Sequence, residues 1–273
     1  MEWNYSVLMS VYKKEKPEYL KQAIESMLNQ TVQTNDFVLV CDGPLTHELD
    51  SLIEDICGQY PELFQIIRLK KNSGLGNALN VGLKKCRHEL VARMDSDDKS
   101  LPNRCELQLR QFKEKPELAF CSGDIAEFIK DTKEIQNIRH VPTSYNQILR
   151  FAKKRNPMNH MAVMFRKSAV EDVGGYIEIR YFEDYYLWVR MLKKGYKAAN
   201  IDQILVNVRI GNGMYERRGG IAYAKNVCIL QKKMLEMHFI SYGQFFVNCF
   251  IRIVGSMISI GFRTYLYRKI LRK

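Results

Sequence analysis

The sequence predicts an α/β protein: a mostly parallel sheet flanked by helices, followed by a C-terminal helical extension. Three observations carry this. Short apolar runs alternate with segments of helical period through the first half of the chain, as in repeated βα units. Three of those runs end in polar clusters, and open α/β sheets bind ligands beyond the carboxyl ends of their strands. The last seventy residues then change character, becoming basic and helical in period.

Taken in order, Ser6–Val11 reads as the first strand and Pro17–Leu28 as a helix with Leu20, Ile24, Met27 and Leu28 on one face. Phe37–Cys41 is the second strand, closed by the turn signature Asp42-Gly43-Pro44. A helix over Leu45–Gln59, a strand over Gln65–Leu69, a helix over Gly74–Cys86 and a strand over Leu90–Met94 continue the alternation. Asn103–Lys113 is helical and Ala119–Ser122 a strand. Residues 130–160 are more polar and less regular, as in a variable lid or acceptor loop. His160–Phe165 reads as a buried strand, Gly174-Gly175-Tyr176 as a turn, and Glu183–Lys194 as a helix packing Leu187, Trp188, Met191 and Leu192. The domain boundary is expected near residue 210, dividing 1–210 from 211–273, where Gly211-Asn212-Gly213 breaks the pattern.

At 273 residues and 46% apolar content the chain can bury a substantial core. Seven cysteines lie scattered without metal-binding spacing, and no targeting segment is visible, so reduced thiols in the cytoplasm are expected. The net charge of +12 is uneven: residues 1–202 carry 30 Lys+Arg against 28 Asp+Glu, residues 203–273 carry 12 against 2, and no acidic residue follows Glu236. Such a tail seeks a polyanion, either nucleic acid or an anionic membrane.

The chemistry concentrates in Asp95-Ser96-Asp97-Asp98, at the end of the run Leu90-Val91-Ala92-Arg93-Met94. Two carboxylates at i and i+2 on such a loop can turn toward one hard divalent cation, Mn²⁺ or Mg²⁺, with diphosphate oxygens and water completing the shell. A metal there neutralises charge on a departing nucleoside diphosphate. Asn72 and Gly74 open a helix whose N-terminal amides can face an anion, although an ordinary helix entry capped by Ser73 has the same sequence. Arg217 and Arg218, in a glycine-flanked loop, suit bidentate phosphate contacts; a solvated basic loop is the plain alternative.

In order and spacing, Met9-Ser10-Val11-Tyr12, Val40-Cys41-Asp42-Gly43, Asn72-Ser73-Gly74, Asp95-Ser96-Asp97-Asp98 and Tyr181-Phe182-Glu183-Asp184 resemble family 2 glycosyltransferases, which have the GT-A, Rossmann-like fold. Asn156-Pro157-Met158-Asn159-His160, Gly174-Gly175-Tyr176 and Arg217-Arg218-Gly219-Gly220 resemble the bacterial exopolysaccharide and capsule branch. The resemblance implies a nucleotide-sugar site in which Asp42 accepts from the base, Tyr12 lies near the base, Asp95 contacts the ribose or the metal shell, and Asp97 is the direct metal ligand. It implies an inverting transfer with Asp184 as the base and Glu183 as a lesser candidate. Asp98 reads as structural. His160 is open between a third metal ligand, an acceptor contact and a core-edge residue.

From Gln244 onward, polar residues recur at Gln244, Asn248, Arg252, Ser256, Ser259 and Arg263, with Phe246, Phe250, Ile253, Met257 and Ile260 on other faces. The length suffices to span a bilayer, but Arg252 near the centre would cost roughly 2.5–3.5 kcal/mol. A helix lying in the interface of an anionic membrane is therefore expected, and no nucleic acid. Together these expectations describe a hexosyltransferase, peripheral on the inner face of a bacterial membrane, moving sugar from a UDP-sugar to a lipid-linked saccharide. The rivals are a sugar nucleotidyltransferase, whose glycine-rich loop is absent at Tyr12-Lys13-Lys14-Glu15-Lys16, and a non-catalytic membrane-associated nucleotide- or nucleic-acid-binding protein.

Overall fold

Parallel strand pairing with both faces covered organises the chain. The computed structural model describes residues 4–211 and 220–257. Among these, nine strands form one sheet: β1 (Tyr5–Val11), β2 (Asp36–Cys41), β3 (Phe64–Arg68), β4 (Leu90–Asp95), β5 (Lys99–Ser100), β6 (Leu118–Phe128), β7 (Ile135–Arg139), β8 (Met164–Arg166) and β9 (Lys197–Arg209). The spatial order is β3-β2-β1-β4-β8-β6-β9-β5, with β7 beside β6. β3, β2, β1 and β4 run parallel, as do β6 and β9, while β5, β7 and β8 pair antiparallel.

Residues alternate between two apolar clusters, as a sheet buried on both faces requires. Val7, Met9 and Val11 join Phe37 and Leu39 on the face covered by α1 (Pro17–Leu28), α2 (His47–Gln59) and α4 (Arg104–Glu114). Leu8, Val38 and Val40 point the other way, toward α3 (Leu75–Lys85) and toward Trp188 and Leu187 of a later helix. Local signals explain the helix starts: Pro17 stands at the first turn of α1, and the Thr46 side chain accepts from the Leu49 N–H at the start of α2. α5 (Tyr145–Phe151) is closed by a Ser144–Gln147 capping box, and α6 (Lys167–Asp172) and α7 (Glu183–Lys193) follow.

Two departures from expectation have physical causes. The strand expected at His160–Phe165 opens instead as a 3₁₀ turn at His160–Ala162 and becomes extended only from Met164. The carbonyls of Ala162 and Val163 accept from the buried Gln108 and Arg104 side chains, and Val163 also from the Arg93 N–H. The long β9 has no clean alternation because its pairing with β6 shifts register around Asp124, skipping Asp202 and Gln203. Within the irregular region 130–160 lie β7 and α5.

The C-terminal helices α8 (Gly220–Glu236) and α9 (Tyr242–Met257) pack on the domain: Tyr223, Val227, Leu230 and Met234 share the apolar cluster of Trp188 and Leu187. Within the polar stripe of α9, Asn248 and Arg252 face inward. Asn248 donates to the Lys153 carbonyl and to Gln231, and Arg252 donates to the Lys154 carbonyl. Phe246, Val247, Phe250, Ile251 and Val254 are exposed instead. No helix among the described residues is long and apolar enough to cross a membrane.

Candidate active site

Register brings the acidic loop and two other strand ends to one edge. Ser10 pairs with Asp95 and Val11 with Cys41, so the carboxyl ends of β2, β1 and β4 are level. Asp42 follows β2. Gly43, at φ +88°, lets the chain turn so closely that a Cβ there would stand 2.6 Å from the Asn72 nitrogen. Asp42 thereby meets the start of α3. One of its oxygens accepts from the Ser73 N–H at 2.7 Å and the Ser73 hydroxyl at 3.1 Å. The other accepts from Asn72 Nδ2 at 2.9 Å and the Gly74 N–H at 3.1 Å. Four donors fill the carboxylate's acceptor sites, so any base contact takes the place of one of them. Gly74, at φ +86°, supplies the left-handed step into α3. Tyr12 lies at the end of β1, 39% exposed.

Beside this edge, carboxylates crowd. Asp95 is half-buried and accepts from Arg93, whose side chain is 1% exposed. Arg93 Nε and Nη1 have no partner among the described residues. Ser96 donates to Glu15 at 2.6 Å, drawing that acid toward the loop. Burial, then the like charges of Asp95 and Glu15, push Asp97 up to about 7. Asp98 is buried and raised well above the carboxylate range, by burial first and then by Asp97 and Asp95. Its oxygen accepts from the Arg209 N–H at 2.8 Å, fixing the end of β9 to the loop. Arg209 Nε donates to the Asp97 carbonyl, and its guanidinium lies 3.8 Å from the Tyr19 ring centre.

The second half of the site comes from α7. Asp184 is half-buried in its first turn, accepting from Asn156 Nδ2 at 2.6 Å and from the Tyr185 N–H at 2.7 Å. Burial raises its pKa, against which these hydrogen bonds and the charges of Arg93 and Arg139 act. Glu183 packs against Gly76 of α3 and is pushed up to about 7, by burial first and with a contribution from Asp184. Arg93 thus stands within electrostatic reach of both Asp95 and Asp184, and Tyr176 lies in the same field. His160 donates to or accepts from the Tyr176 hydroxyl at 3.0 Å and lies edge-on to Trp188. Burial and Arg93 hold it well below its ordinary pKa, and among the described residues its ring contacts are Tyr176 and Trp188, not a carboxylate.

The structure therefore brings Tyr12, Asp42, Asn72, Gly74, Asp95 and Asp97 to one edge. Arg217 and Arg218 lie outside the described residues. The sequence assigned no site role to Arg93, Glu15, Asn156 or Arg209. Arg93 had a signal: a guanidinium inside an apolar strand, two residues before Asp95 and so on its face. Arg209 had none, because β9 itself was illegible.

Residues 6–173 match the family model for Glycosyl transferase family 2. The chain belongs to glycosyltransferase family 2. This glycosyltransferase is 38% identical over 265 residues to the amylovoran biosynthesis glycosyltransferase AmsE of Erwinia amylovora, covering 97% of this chain and 98% of that protein. It is 38% identical over 269 residues to the UDP-Gal:alpha-D-GlcNAc-diphosphoundecaprenol beta-1,3-galactosyltransferase of Escherichia coli, covering 98% and 97%. Its fold is similar to that of the mannosyltransferase PcManGT from Pyrobaculum calidifontis in complex with GDP-Man and Mn²⁺, with a TM-score of 0.65 and 16% identity over 91% of this chain and 68% of that one. The fold of this family 2 glycosyltransferase is GT-A.

Proposed function

We propose that this glycosyltransferase moves a hexose or N-acetylhexosamine from a UDP-sugar to a lipid-linked saccharide, with inversion and with a divalent cation at Asp95 and Asp97, in cell-surface polysaccharide synthesis. The observation that carries the reading is buried Arg93, which hydrogen-bonds Asp95 of the strand-end loop and whose charge acts on Asp184 of α7. A donor held at the strand edge would present its anomeric carbon toward α7. The names of the relatives supply the substrate classes: a UDP-sugar, a lipid diphosphate acceptor, a β-linkage and polysaccharide synthesis.

The residues at the loop fit Mn²⁺ or Mg²⁺. Asp97, crowded by Asp95 and Glu15 and raised to about 7, is the kind of oxygen-rich, like-charged site that a divalent cation relieves. When bound, the ion would neutralise the diphosphate as it leaves. The chain's own groups do the rest. Tyr12 would flank the base, Asp42 would contact it in exchange for one of its present donors, and the α3 N-terminus with Asn72 and Gly74 would face phosphate. Arg217 and Arg218 would close on the same group. Asp184 would take the acceptor hydroxyl's proton as that oxygen attacks the anomeric carbon and the C–O bond to the diphosphate breaks. Such a base contributes roughly 10²–10⁴-fold. Glu183 would orient the acceptor.

The lipid-linked acceptor needs a membrane-adjacent enzyme. α9 turns Asn248 and Arg252 toward the domain and Phe246, Val247, Phe250, Ile251 and Val254 outward, unlike a solvated surface helix. With a C-terminal region carrying 12 Lys+Arg against 2 Asp+Glu, this face suits an anionic bilayer interface rather than nucleic acid, as expected for a peripheral protein on the cytoplasmic face. The test is a panel of nucleotide sugars incubated with the purified chain and a GlcNAc-diphospho-lipid. Transfer from a UDP-sugar supports the reading; release of nucleotide from none of them would overturn it.

A further inference from the structure

Outside the strand-end crevice, three ligand-bearing side chains from distant parts of the chain converge. Asp124 lies on β6, His140 directly follows β7, and Asp202 lies on β9; one carboxylate oxygen from each aspartate and a ring nitrogen of His140 all fall within 4.8 Å of one another. Asp124 is 3% exposed, whereas His140 and Asp202 open to solvent. His140 Nδ1 is 2.5 Å from one Asp124 oxygen, and the other accepts from the Val141 N–H at 3.0 Å. We propose that Asp124, His140 and Asp202 form a second cation site, for a single borderline divalent ion of the Zn²⁺ or Co²⁺ class.

The backbone is shaped for this convergence. On β6, Gly123 pairs with Ile201 of β9 and the next residue, Asp124, pairs with Ile204, so Asp202 and Gln203 bulge out of the ladder. A bulge re-aims a side chain, here that of Asp202 to the Asp124 side. The segment after His140 is clamped beside the same bulge: the Asn200 N–H donates to the Thr143 carbonyl and Asn200 Nδ2 to the Pro142 carbonyl at 2.7 Å. The result is a buried carboxylate facing a second carboxylate, and among the described residues neither is ion-paired to a lysine or arginine. One imidazole beside them completes a mixed N/O donor set of the kind that suits Zn²⁺ or Co²⁺ better than Mg²⁺ or Ca²⁺, which favour all-oxygen shells. Three protein ligands and two solvent-facing groups leave open coordination positions for water.

This site is separate from the acidic loop. Asp98 binds the Arg209 N–H, while Asp124 pairs five residues back along β9 at Ile204, about 16 Å at roughly 3.3 Å per residue. It does adjoin the acceptor side: Arg139, next to His140, donates to the Asn156 carbonyl, and Asn156 holds Asp184. An ion here would brace the β7 exit against β9 and so steady that chain of contacts.

The test uses the full chain, stripped of metal, without nucleotide, and carrying Asp97→Ala to silence the acidic loop. Co²⁺ is titrated at about pH 7.5, since binding of metal to such ligands competes with protons. One equivalent should bind with visible d–d bands that chelator removes. His140→Gln and Asp202→Asn, both at solvent-facing positions, should each weaken binding roughly tenfold or more while circular dichroism stays unchanged. Absence of bands beyond those of hydrated Co²⁺, or equal affinity in both added variants, would overturn the site. Loss of Co²⁺ binding on introducing Asp97→Ala alone would do so too, since it would put the ion at the loop.

Discussion

Arg93 donates a hydrogen bond to Asp95 from two residues earlier on the same face of β4, and it does so from almost complete burial. Burial opposes its charge, but the charge and hydrogen bond of Asp95, together with Tyr176 and Asp98, outweigh that and keep the guanidinium ionised. The cation is therefore buried at the site, where its charge lowers the cost of ionising Asp184. Removing it by Arg93→Met should raise the pKa of Asp184. The acid limb of the kcat/KM–pH profile is expected to move to higher pH, and an unmoved limb would mean that Arg93 serves only packing.

Asp97 makes a stability prediction with a definite sign. Its folded pKa of about 7 lies above the ordinary value of 3.8 because of burial, Asp95 and Glu15. Between those two values the folded chain holds a proton that the unfolded chain has lost, so metal-free stability falls as pH rises through that window. Asp97→Asn removes the titration. In chelator, its melting temperature should exceed that of the parent above pH 7, by about 1–3 kcal/mol of stability, and match it near pH 4. Melts of both proteins across this range check the sign.

For Asp184 the expectation concerns rate, not binding. Asp184→Asn keeps the contact with Asn156 but cannot accept the acceptor's proton, so transfer should fall roughly 10²-fold or more while nucleotide affinity holds. Near-parental transfer would move the role to Glu183, whose pKa of about 7 also suits a base. Glu183→Gln, measured alongside, separates the two.

The parallel half of the fold was legible because each strand there is a short apolar run closed by a turn residue, as at Cys41-Asp42-Gly43. The acidic loop was legible for the same reason: it ends such a run. β9 was hidden because Asn200, Asp202 and Gln203 interrupt its alternation at the bulge, and with it went Arg209. The inward turn of Asn248 and Arg252 was also hidden. Periodicity reveals that α9 has two faces, but only the carbonyls at Lys153 and Lys154 decide which one points to the domain.

That orientation leads to the membrane prediction. Phe246 and Phe250 are 66% and 70% exposed on successive turns of α9. Phe246→Glu with Phe250→Glu should abolish sedimentation with anionic vesicles at moderate salt while leaving nucleotide binding intact, since each buried aromatic contributes roughly 1.5–3 kcal/mol and the new charges repel the surface. Vesicle binding equal to the parent's would exclude this face as the contact.

The most direct test of the account is calorimetric titration of UDP into the full chain, with Mn²⁺ and again with chelator, for the parent and for Asp97→Ala. Acidic residues that hold a cation against the diphosphate should make UDP affinity in Mn²⁺ roughly tenfold or more above that in chelator, and Asp97→Ala should erase the difference. Equal affinity for the parent in both conditions would contradict the assignment of Asp95 and Asp97.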